Sequence, residues 1–362
     1  MAVQLYLESL GASEPVISSV LGINGIGLFV GAGLWGIVSD HVKRRRLLAF
    51  LAFGLAALIG TLALLPSTEV VLGTAFARFL FFSGFSTVSV AIISAASSVE
   101  RRGKNLSYIS SARAFGFAAG SIATGFVLEI LNFGAAFALC AALPLVGLGI
   151  LALLPSENPV RARERHLPFR EILSAGIVDL YVATALRQMA IFGTFSLLVV
   201  YMSRLGIPPG VMGVIGATNT GTQVLALLLF GRLADRVGRR PIYMLGFALS
   251  AVTPCVFLFA QGVGGMVAGY VTLALSFSSM YVGAAAHIGD RVPHHRHGQM
   301  LGLYESSRGL GAVGPFIAGP LVAASGFQGM FLVMAGIAAL GFLVMLVGGA
   351  LHRRSLREAT SH

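Results

Sequence analysis

Residues 231–240 have the sequence Gly-Arg-Leu-Ala-Asp-Arg-Val-Gly-Arg-Arg and lie between two long apolar segments. Residues 36–45, Gly-Ile-Val-Ser-Asp-His-Val-Lys-Arg-Arg, lie in the same position between two earlier apolar segments. The glycine, the aspartate and the arginine pair recur 195 residues apart, at Gly36 and Gly231, Asp40 and Asp235, Arg44 and Arg239, and Arg45 and Arg240. This spacing predicts an internal duplication of the chain.

The duplication extends well beyond these two loops. A shift of 195 residues aligns residues 6 to about 127 with the second half of the chain without a gap. Tyr6 then meets Tyr201, Asn24 meets Asn219, and Arg113 meets Arg308. Apolar sequence of low complexity would match itself by composition, but it would not keep polar and charged positions in register. We therefore predict two equivalent halves.

The composition places both halves in a membrane. Of the 362 residues, 56% are hydrophobic and 11% are charged, whereas soluble domains have about a quarter charged residues. The apolar runs approach the roughly 20 residues that an α-helix needs to cross the hydrocarbon core. We predict an all-α integral membrane protein with transmembrane helices over residues 16–38, 47–66, 69–93, 105–130, 134–154, 177–201, 211–233, 241–261, 265–288, 299–324 and 329–351.

Basic residues are concentrated in alternate loops. The net charge is +11, and nineteen basic residues between Lys43 and Arg357 fall in one set of loops, whereas the other set has only Arg204. Cytoplasmic loops of membrane proteins have this excess of Lys and Arg. We therefore predict a cytoplasmic C-terminus, and we attribute the charge to orientation in a lipid bilayer, with no nucleic-acid partner.

The sequence lacks the patterns that indicate catalysis, a cofactor or a metal site. It has no phosphate-binding loop with paired carboxylates, no nucleophile elbow, and no His and Cys at metal-ligand spacing. Cys140 and Cys255 lie inside apolar runs, where they are typical of packing residues. We predict no enzymatic activity, no cofactor and no bound metal.

The two basic loops resemble the signature loop of the major facilitator superfamily, which joins its second and third helices and its eighth and ninth helices. The resemblance implies two pseudo-symmetric six-helix bundles that expose a central site to each face of the membrane in turn. The bundles would cover residues 1–155 and 173–362, joined by a cytoplasmic linker at 156–172. The resemblance also assigns a conformational lock to Gly36, Asp40, Arg44, Arg45, Gly231, Asp235, Arg239 and Arg240. Lys43 departs from the pattern, in which Gly is usual, and we expect a looser turn there.

The repeat also predicts a helix before Met1. Tyr201 closes a predicted helix that begins near Ile177, so the equivalent helix before Tyr6 would begin upstream of Met1. We expect an upstream start codon or a fragment, with eleven of the twelve family helices present in this chain.

Ionisable residues at membrane depth are the first functional candidates. Arg78, Arg113, Arg187 and Arg308 all lie near the middle of predicted helices, and Glu305 is one turn before Arg308 and can pair with it. The partners of the other three stay open: an acid on the missing helix, an anionic substrate, or backbone carbonyls and water. We predict that Arg78 and Arg187 contact the substrate or the coupling ion. Arg113 and Arg308, which are equivalent in the repeat, are expected to be structural.

These features favour a monomeric secondary transporter of the plasma or inner membrane, which exports a small organic molecule in exchange for protons. The run Gly311-x-x-Gly314-Pro315 resembles a motif of antiporters, but it lies in the eleventh family position and not in the fifth, so it favours efflux only mildly. Two alternatives stay open. One is uptake or exchange of an anionic metabolite, and the other is a sensor that keeps the transporter fold without transport.

Overall fold

Helices account for all the regular structure of the described chain in this computed structural model. The structure describes residues 1–39, 41–65, 67–97, 101–151, 178–291, 300, 304 and 306–360, and these ranges contain no β-strand. The predicted all-α fold is confirmed.

The helices with described bounds are numbered here in chain order. They are α1 (Ala2–Ser9), α2 (Glu14–Val38), α3 (Arg44–Leu64), α4 (Thr68–Ala96), α5 (Arg102–Ile130), α6 (Phe133–Leu151), α7 (Val178–Arg204), α8 (Pro209–Val237), α9 (Arg239–Leu258), α10 (Val263–Arg291) and α11 (Gly314–Thr360), with a 3₁₀ helix at Leu310–Val313 before α11.

Ten segments of the described ranges are long and apolar enough to cross a membrane. Nine of them match predicted transmembrane helices one to one, and the tenth, Ser306–Gly348, covers the last two predicted helices together. The two are separated inside α11 by Gly326, whose φ of 69° and ψ of −179° are not helical. Glycine adopts this positive φ without a Cβ clash, which explains why the break falls there.

The chain divides into two compact units. The first contains residues 1–164 and 202–217, and the second contains residues 165–201 and 218–362. In the first unit, Trp35 packs with Leu51 and Val88, and its indole N–H donates to the carbonyl oxygen of Leu80 at 2.9 Å. In the second unit, Phe247 and Met280 belong to a fully buried cluster between helices.

Helix α5 and the first turns of α8 pack closely within the first unit. A Cβ atom added at Gly125 would lie 2.5 Å from the carbonyl oxygen of Pro209. The carboxylate of Glu129 accepts a hydrogen bond from the backbone N–H of Gly210 at 2.8 Å, at the positive end of the α8 dipole. In the same unit, the guanidinium of Arg204 donates to the carboxylate of Glu14.

The duplication predicted from the sequence recurs in the turns of the backbone. Gly11 and Gly206 have φ values of 73° and 71°. The N–H of Gly11 donates to the carbonyl oxygen of Glu8 at 3.0 Å, and that of Gly206 donates to Ser203 at 2.9 Å. Each glycine ends its helix in the left-handed conformation typical of helix C-termini.

The same correspondence holds for two aromatic clusters. The ring of Tyr6 lies 5.2 Å from Phe133 and 5.4 Å from Phe137. The ring of Tyr201 lies 4.9 Å from Phe327 and 5.3 Å from Phe331. The phenylalanines are 194 residues apart and the tyrosines 195, so the register changes by one residue after the ungapped alignment ends. Tyr6 and Tyr201 therefore form equivalent aromatic clusters in the two halves.

Candidate functional site

Arg187 lies at the centre of a buried polar cluster in the second unit. Its side chain is 1% exposed on α7. Nε donates to Ser250 Oγ on α9 at 2.9 Å, and Nη2 donates to Ser276 Oγ on α10 at 3.1 Å. Nη1 donates to the amide oxygen of the neighbouring Gln188 at 2.8 Å. Three helices thus hold one guanidinium.

The two serines also form hydrogen bonds with each other and with the backbone. Ser250 Oγ lies 2.7 Å from the carbonyl oxygen of Gly246, and the two serine oxygens are 2.6 Å apart. The carbonyl oxygen of Gly246 is also 3.4 Å from Ser276 Oγ, so either serine can donate to the other while the second one donates to Gly246. Both oxygens therefore remain acceptors for Arg187. All three side-chain acceptors of the guanidinium are neutral, so they orient its charge without cancelling it.

Arg308 lies near this cluster, and its charge repels that of Arg187. Its guanidinium carbon is 5.3 Å from the ring centroid of Phe277, a distance typical of a cation–π contact. Tyr304, one turn earlier, is 1% exposed. Glu305, the predicted partner of Arg308, lies outside the described residues.

Arg78 is the second buried arginine of the prediction, and it lies on α4 in the first unit. It is 5% exposed, and its Nη2 donates to the carbonyl oxygen of Val71, two turns earlier in the same helix, at 3.0 Å. Its Nε has no hydrogen-bond partner among the described residues. This buried donor is therefore unsatisfied by the residues that the structure describes.

Arg113 differs from its repeat equivalent Arg308. The side chain of Arg113 is exposed on α5 in the first unit, and its Nη1 donates to Ser86 Oγ on α4 at 3.3 Å. The four predicted arginines thus fall in different environments: Arg187 and Arg308 share one neighbourhood in the second unit, whereas Arg78 and Arg113 lie in the first.

The two copies of the basic loop have different backbones. Gly238 precedes α9 with φ 97° and ψ 155°, whereas the equivalent Lys43 precedes α3 with φ −57° and ψ 112°. A lysine side chain disfavours positive φ, so the first copy cannot form the turn of the second. Arg44 is 6% exposed and donates to the carbonyl oxygen of Ala91 on α4 at 3.3 Å.

The other lock residues are distributed as follows. Gly36 lies in α2, Arg45 in the first turn of α3, and Gly231 and Asp235 in the last turns of α8. Arg239 and Arg240 open α9, where Arg239 is exposed and Arg240 is half-buried. Asp40 lies outside the described residues.

The residues around Arg187 were not among those predicted from the sequence, although the repeat contains a signal for them. The positions equivalent to Ser250 and Ser276 in the first half are Leu55 and Phe81. Both serines are found by searching the repeat for positions that are polar in one half and apolar in the other. The cluster therefore has no counterpart at these positions of the first half.

A model of the Major Facilitator Superfamily matches residues 1–179 and again residues 180–360. The chain belongs to the major facilitator superfamily. Its family and fold are those of a multi-pass membrane transporter, and transporters of this kind handle small-molecule substrates.

Curated relatives of this superfamily member include efflux proteins at low identity. The multi-drug resistance efflux pump PmrA of Streptococcus pneumoniae is 20% identical over 294 residues, covering 73% of each chain. The agnestins efflux protein AgnL12 of Paecilomyces divaricatus is 23% identical over 355 residues, covering 95% of this chain and 81% of the relative. The methylenomycin A resistance protein of Bacillus subtilis is 33% identical over 120 residues, which are 31% of this chain and 25% of the relative.

Solved structures of other transporters share the fold. The nucleoside transporter NupG aligns with a TM-score of 0.76 at 15% identity, covering 96% of this chain and 93% of NupG. A POT family transporter in complex with a thioalcohol-conjugated peptide aligns with a TM-score of 0.79 at 12% identity, covering 94% of this chain and 89% of that transporter. At this identity the likeness concerns the superfamily fold alone.

A second polar network of this superfamily member distinguishes its halves. Asn219 Nδ2 donates to the carbonyl oxygen of Tyr270 at 3.0 Å, and Gln223 Nε2 donates to Asn219 Oδ1 at 2.7 Å. The equivalent Asn24 has a buried Oδ1 without a hydrogen-bond partner in the described chain. The residue equivalent to Gln223 is Leu28, which cannot donate. The repeat identifies the two asparagines as equivalent, but it does not predict that their hydrogen bonds differ.

Proposed function

We propose that this chain is a proton-coupled exporter of a small organic molecule that works by alternating access. The efflux relative AgnL12, which aligns with 95% of the chain, supports the direction of transport. The observation that carries the site is Arg187, a buried cation whose three side-chain hydrogen-bond acceptors are all neutral.

The proposed role of Arg187 follows from its net charge. Burial of a cation in a membrane protein is costly, and such residues commonly mark pathways for substrates or ions. The hydroxyls of Ser250 and Ser276 fix the guanidinium in place, so little reorganisation is needed when a negative or proton-accepting group approaches. Its positive charge then attracts an anionic cargo or an ionised carboxyl that takes part in proton coupling.

Arg78 is proposed as a second functional cation, located in the first half. Its burial and its Nε donor, which no described residue satisfies, support a role in cargo or coupling-ion binding. Arg113 and Arg308 are proposed as supporting residues, since one bonds a serine and the other packs over an aromatic ring.

The basic loops are proposed to stabilise one of the two end states. Arginine donates bidentate hydrogen bonds to carboxylates, and it also donates to carbonyl oxygens at helix ends. The excess of basic residues in these loops supports a cytoplasmic position for them and for the C-terminus, in a plasma or inner membrane. We propose that the chain acts as a monomer, with bundles over residues 1–155 and 173–362 and a linker at 156–172.

A proton-flux measurement with two candidate cargoes tests the proposal. The purified chain is placed in liposomes with an acidic lumen and trapped pyranine, and ethidium or methylenomycin A is added outside. Exchange of cargo for protons raises the lumenal pH, so pyranine fluorescence rises above that of protein-free liposomes. We expect Arg187→Ala to abolish most of this response, whereas Arg46→Ala, which removes an exposed arginine, leaves it unchanged.

Two results would count against the proposal. If neither compound produces a proton flux above that of protein-free liposomes, proton-coupled transport of these cargo types is ruled out. If flux is present but survives both Arg78→Ala and Arg187→Ala, neither arginine has the proposed role.

A second candidate function is uptake or exchange of an anionic metabolite. The neutral acceptors of Arg187 favour it specifically, because they leave a full positive charge for an anion. Radiolabelled succinate separates the two candidates. Saturable succinate uptake that is lost in Arg187→Ala supports anion transport, whereas proton flux with ethidium and no succinate uptake supports export.

A further inference from the structure

A groove between α9 and α11 lies on the second unit. It has a volume of about 510 Å³, with Arg240 at one end and otherwise apolar walls. The walls are formed by Pro241, Met244, Leu245, Ala248, Phe342 and Leu346. Leu245 is 39% exposed and Leu346 is 42% exposed, so the groove opens at the surface of the unit.

The length and polarity of the groove are suited to an amphiphilic ligand. Arg240 is in the first turn of α9 and Ala248 lies two turns further along it, a separation of about 12 Å along the helix axis. Both helices cross the membrane, so the apolar part of the groove lies at the depth of acyl chains and Arg240 lies at the boundary. A ligand that fits has one anionic end and an apolar chain.

Arg240 is the one charged residue among the described residues that line the groove. Its side chain is half-buried, and it forms no hydrogen bond or ion pair with the residues whose side chains the structure describes. A guanidinium has five N–H donors in a planar fork that matches a phosphate. A partly desolvated guanidinium beside an apolar groove therefore favours a phosphate that is attached to an apolar chain.

We propose that the groove binds one anionic phospholipid, with its phosphate on Arg240 and an acyl chain along α9 and α11. The leaflet is the cytoplasmic one, a detail that rests on the topology of the proposed function. The binding itself requires neither transport activity nor proton coupling. Anionic lipid is preferred over zwitterionic lipid because no positive headgroup opposes Arg240.

Native mass spectrometry of the purified full chain tests the site. The protein is released from nanodiscs containing equal amounts of phosphatidylglycerol and phosphatidylcholine, and the retained lipids are counted. We expect one retained phosphatidylglycerol for the wild type. Arg240→Gln should weaken this binding by about tenfold, the loss expected for a charge-assisted hydrogen bond, and Arg240→Lys should weaken it less.

Two further variants separate the groove from general surface charge. Ala248→Leu fills the deep end of the groove and keeps Arg240, so it should also displace the lipid. Arg236→Gln removes an exposed arginine that does not line the groove, and it should retain the lipid. Thermal unfolding in detergent checks that each variant is folded.

The competing source of phosphate is soluble. Inorganic phosphate at millimolar concentration should not displace the retained phosphatidylglycerol if the acyl chain contributes to binding. The proposal is overturned if phosphate displaces it completely, if Arg240→Gln retains it as well as the wild type, or if phosphatidylcholine is retained equally.

Discussion

Arg187 shows how a single buried charge is stabilised in this chain. Its partners Ser250 and Ser276 are 63 and 89 residues away in sequence, on two other helices. A hydrogen bond from a charged group contributes about 1.5–3 kcal/mol, and loss of an acceptor leaves a buried donor unsatisfied. The two serines are therefore expected to matter for stability and for the position of the charge.

We predict that Ser250→Ala and Ser276→Ala each lower the free energy of unfolding by about 1–3 kcal/mol. Transport should fall with them, because the guanidinium is no longer fixed. Thr272→Ala is the matched control on α10, since the Thr272 hydroxyl is exposed and bonds the carbonyl oxygen of Ala268 in its own helix. Thermal unfolding and proton flux are measured together, and serine variants that behave like the Thr272 variant would show that these bonds contribute little.

The depth of Arg187 could be predicted from the sequence, but its partners could not. Its place in the middle of an apolar run fixed its position along the membrane normal. The rotation of α9 and α10 about their axes, which turns Ser250 and Ser276 toward it, depends on packing between helices. Apolar runs give the length and depth of a helix but not the neighbour that each of its faces contacts. In the same way, helical periodicity places Glu305 near Arg308 on one helix, but it does not predict which residues of other helices contact Arg308.

At the scale of the helices, α9 and α10 approach each other closely in the core of the second unit. A Cβ atom added at Gly246 would lie 2.5 Å from the backbone nitrogen of Met280, and one added at Gly283 would clash with Tyr243. The glycines are reciprocal, since each faces the backbone of the other helix. Small residues commonly permit such approaches in membranes, where packing contacts stabilise helix association.

We predict that Gly246→Ala destabilises the protein by about 1–3 kcal/mol, because the methyl group must separate two backbones. Gly336→Ala is the control, since an added Cβ there has no atom within 4 Å and alanine favours the helix. The midpoint of thermal unfolding should fall for the first variant and stay the same or rise for the second. Equal midpoints would contradict the close approach.

The bounds of the helices were largely predictable, including the break between the last two. Ser67, Pro209 and Gly238 are recognisable signals at helix starts, and the described helices begin beside them. The predicted helices 299–324 and 329–351 leave a break between them, and Gly326 with its non-helical backbone angles lies in that break. Lys43 has a φ of −57°, whereas Gly238 has a φ of 97°, and the looser turn expected at Lys43 stays a prediction.

On the scale of the whole molecule, the duplication organises both fold and proposed function. Gly11 and Gly206 end their helices with the same hydrogen bonds, and Tyr6 and Tyr201 close equivalent aromatic clusters. The halves differ where Leu55 and Leu28 stand opposite Ser250 and Gln223. At these positions the two similar bundles therefore offer different hydrogen-bonding groups.

Reciprocal movement of the two halves is the central claim, and distances between paired spin labels measure it directly. Labels at His41 and Arg236, which are equivalent in the repeat, report on the proposed cytoplasmic side, and labels at Leu65 and Val263 report on the other side. Cys140 and Cys255 are first replaced by serine. Double electron–electron resonance measures the distance between the two labels of each pair. It is recorded at pH 8 and at pH 5, with and without ethidium. We predict that one pair lengthens as the other shortens. Two pairs that keep fixed distances, or that lengthen together, would contradict alternating access in this chain.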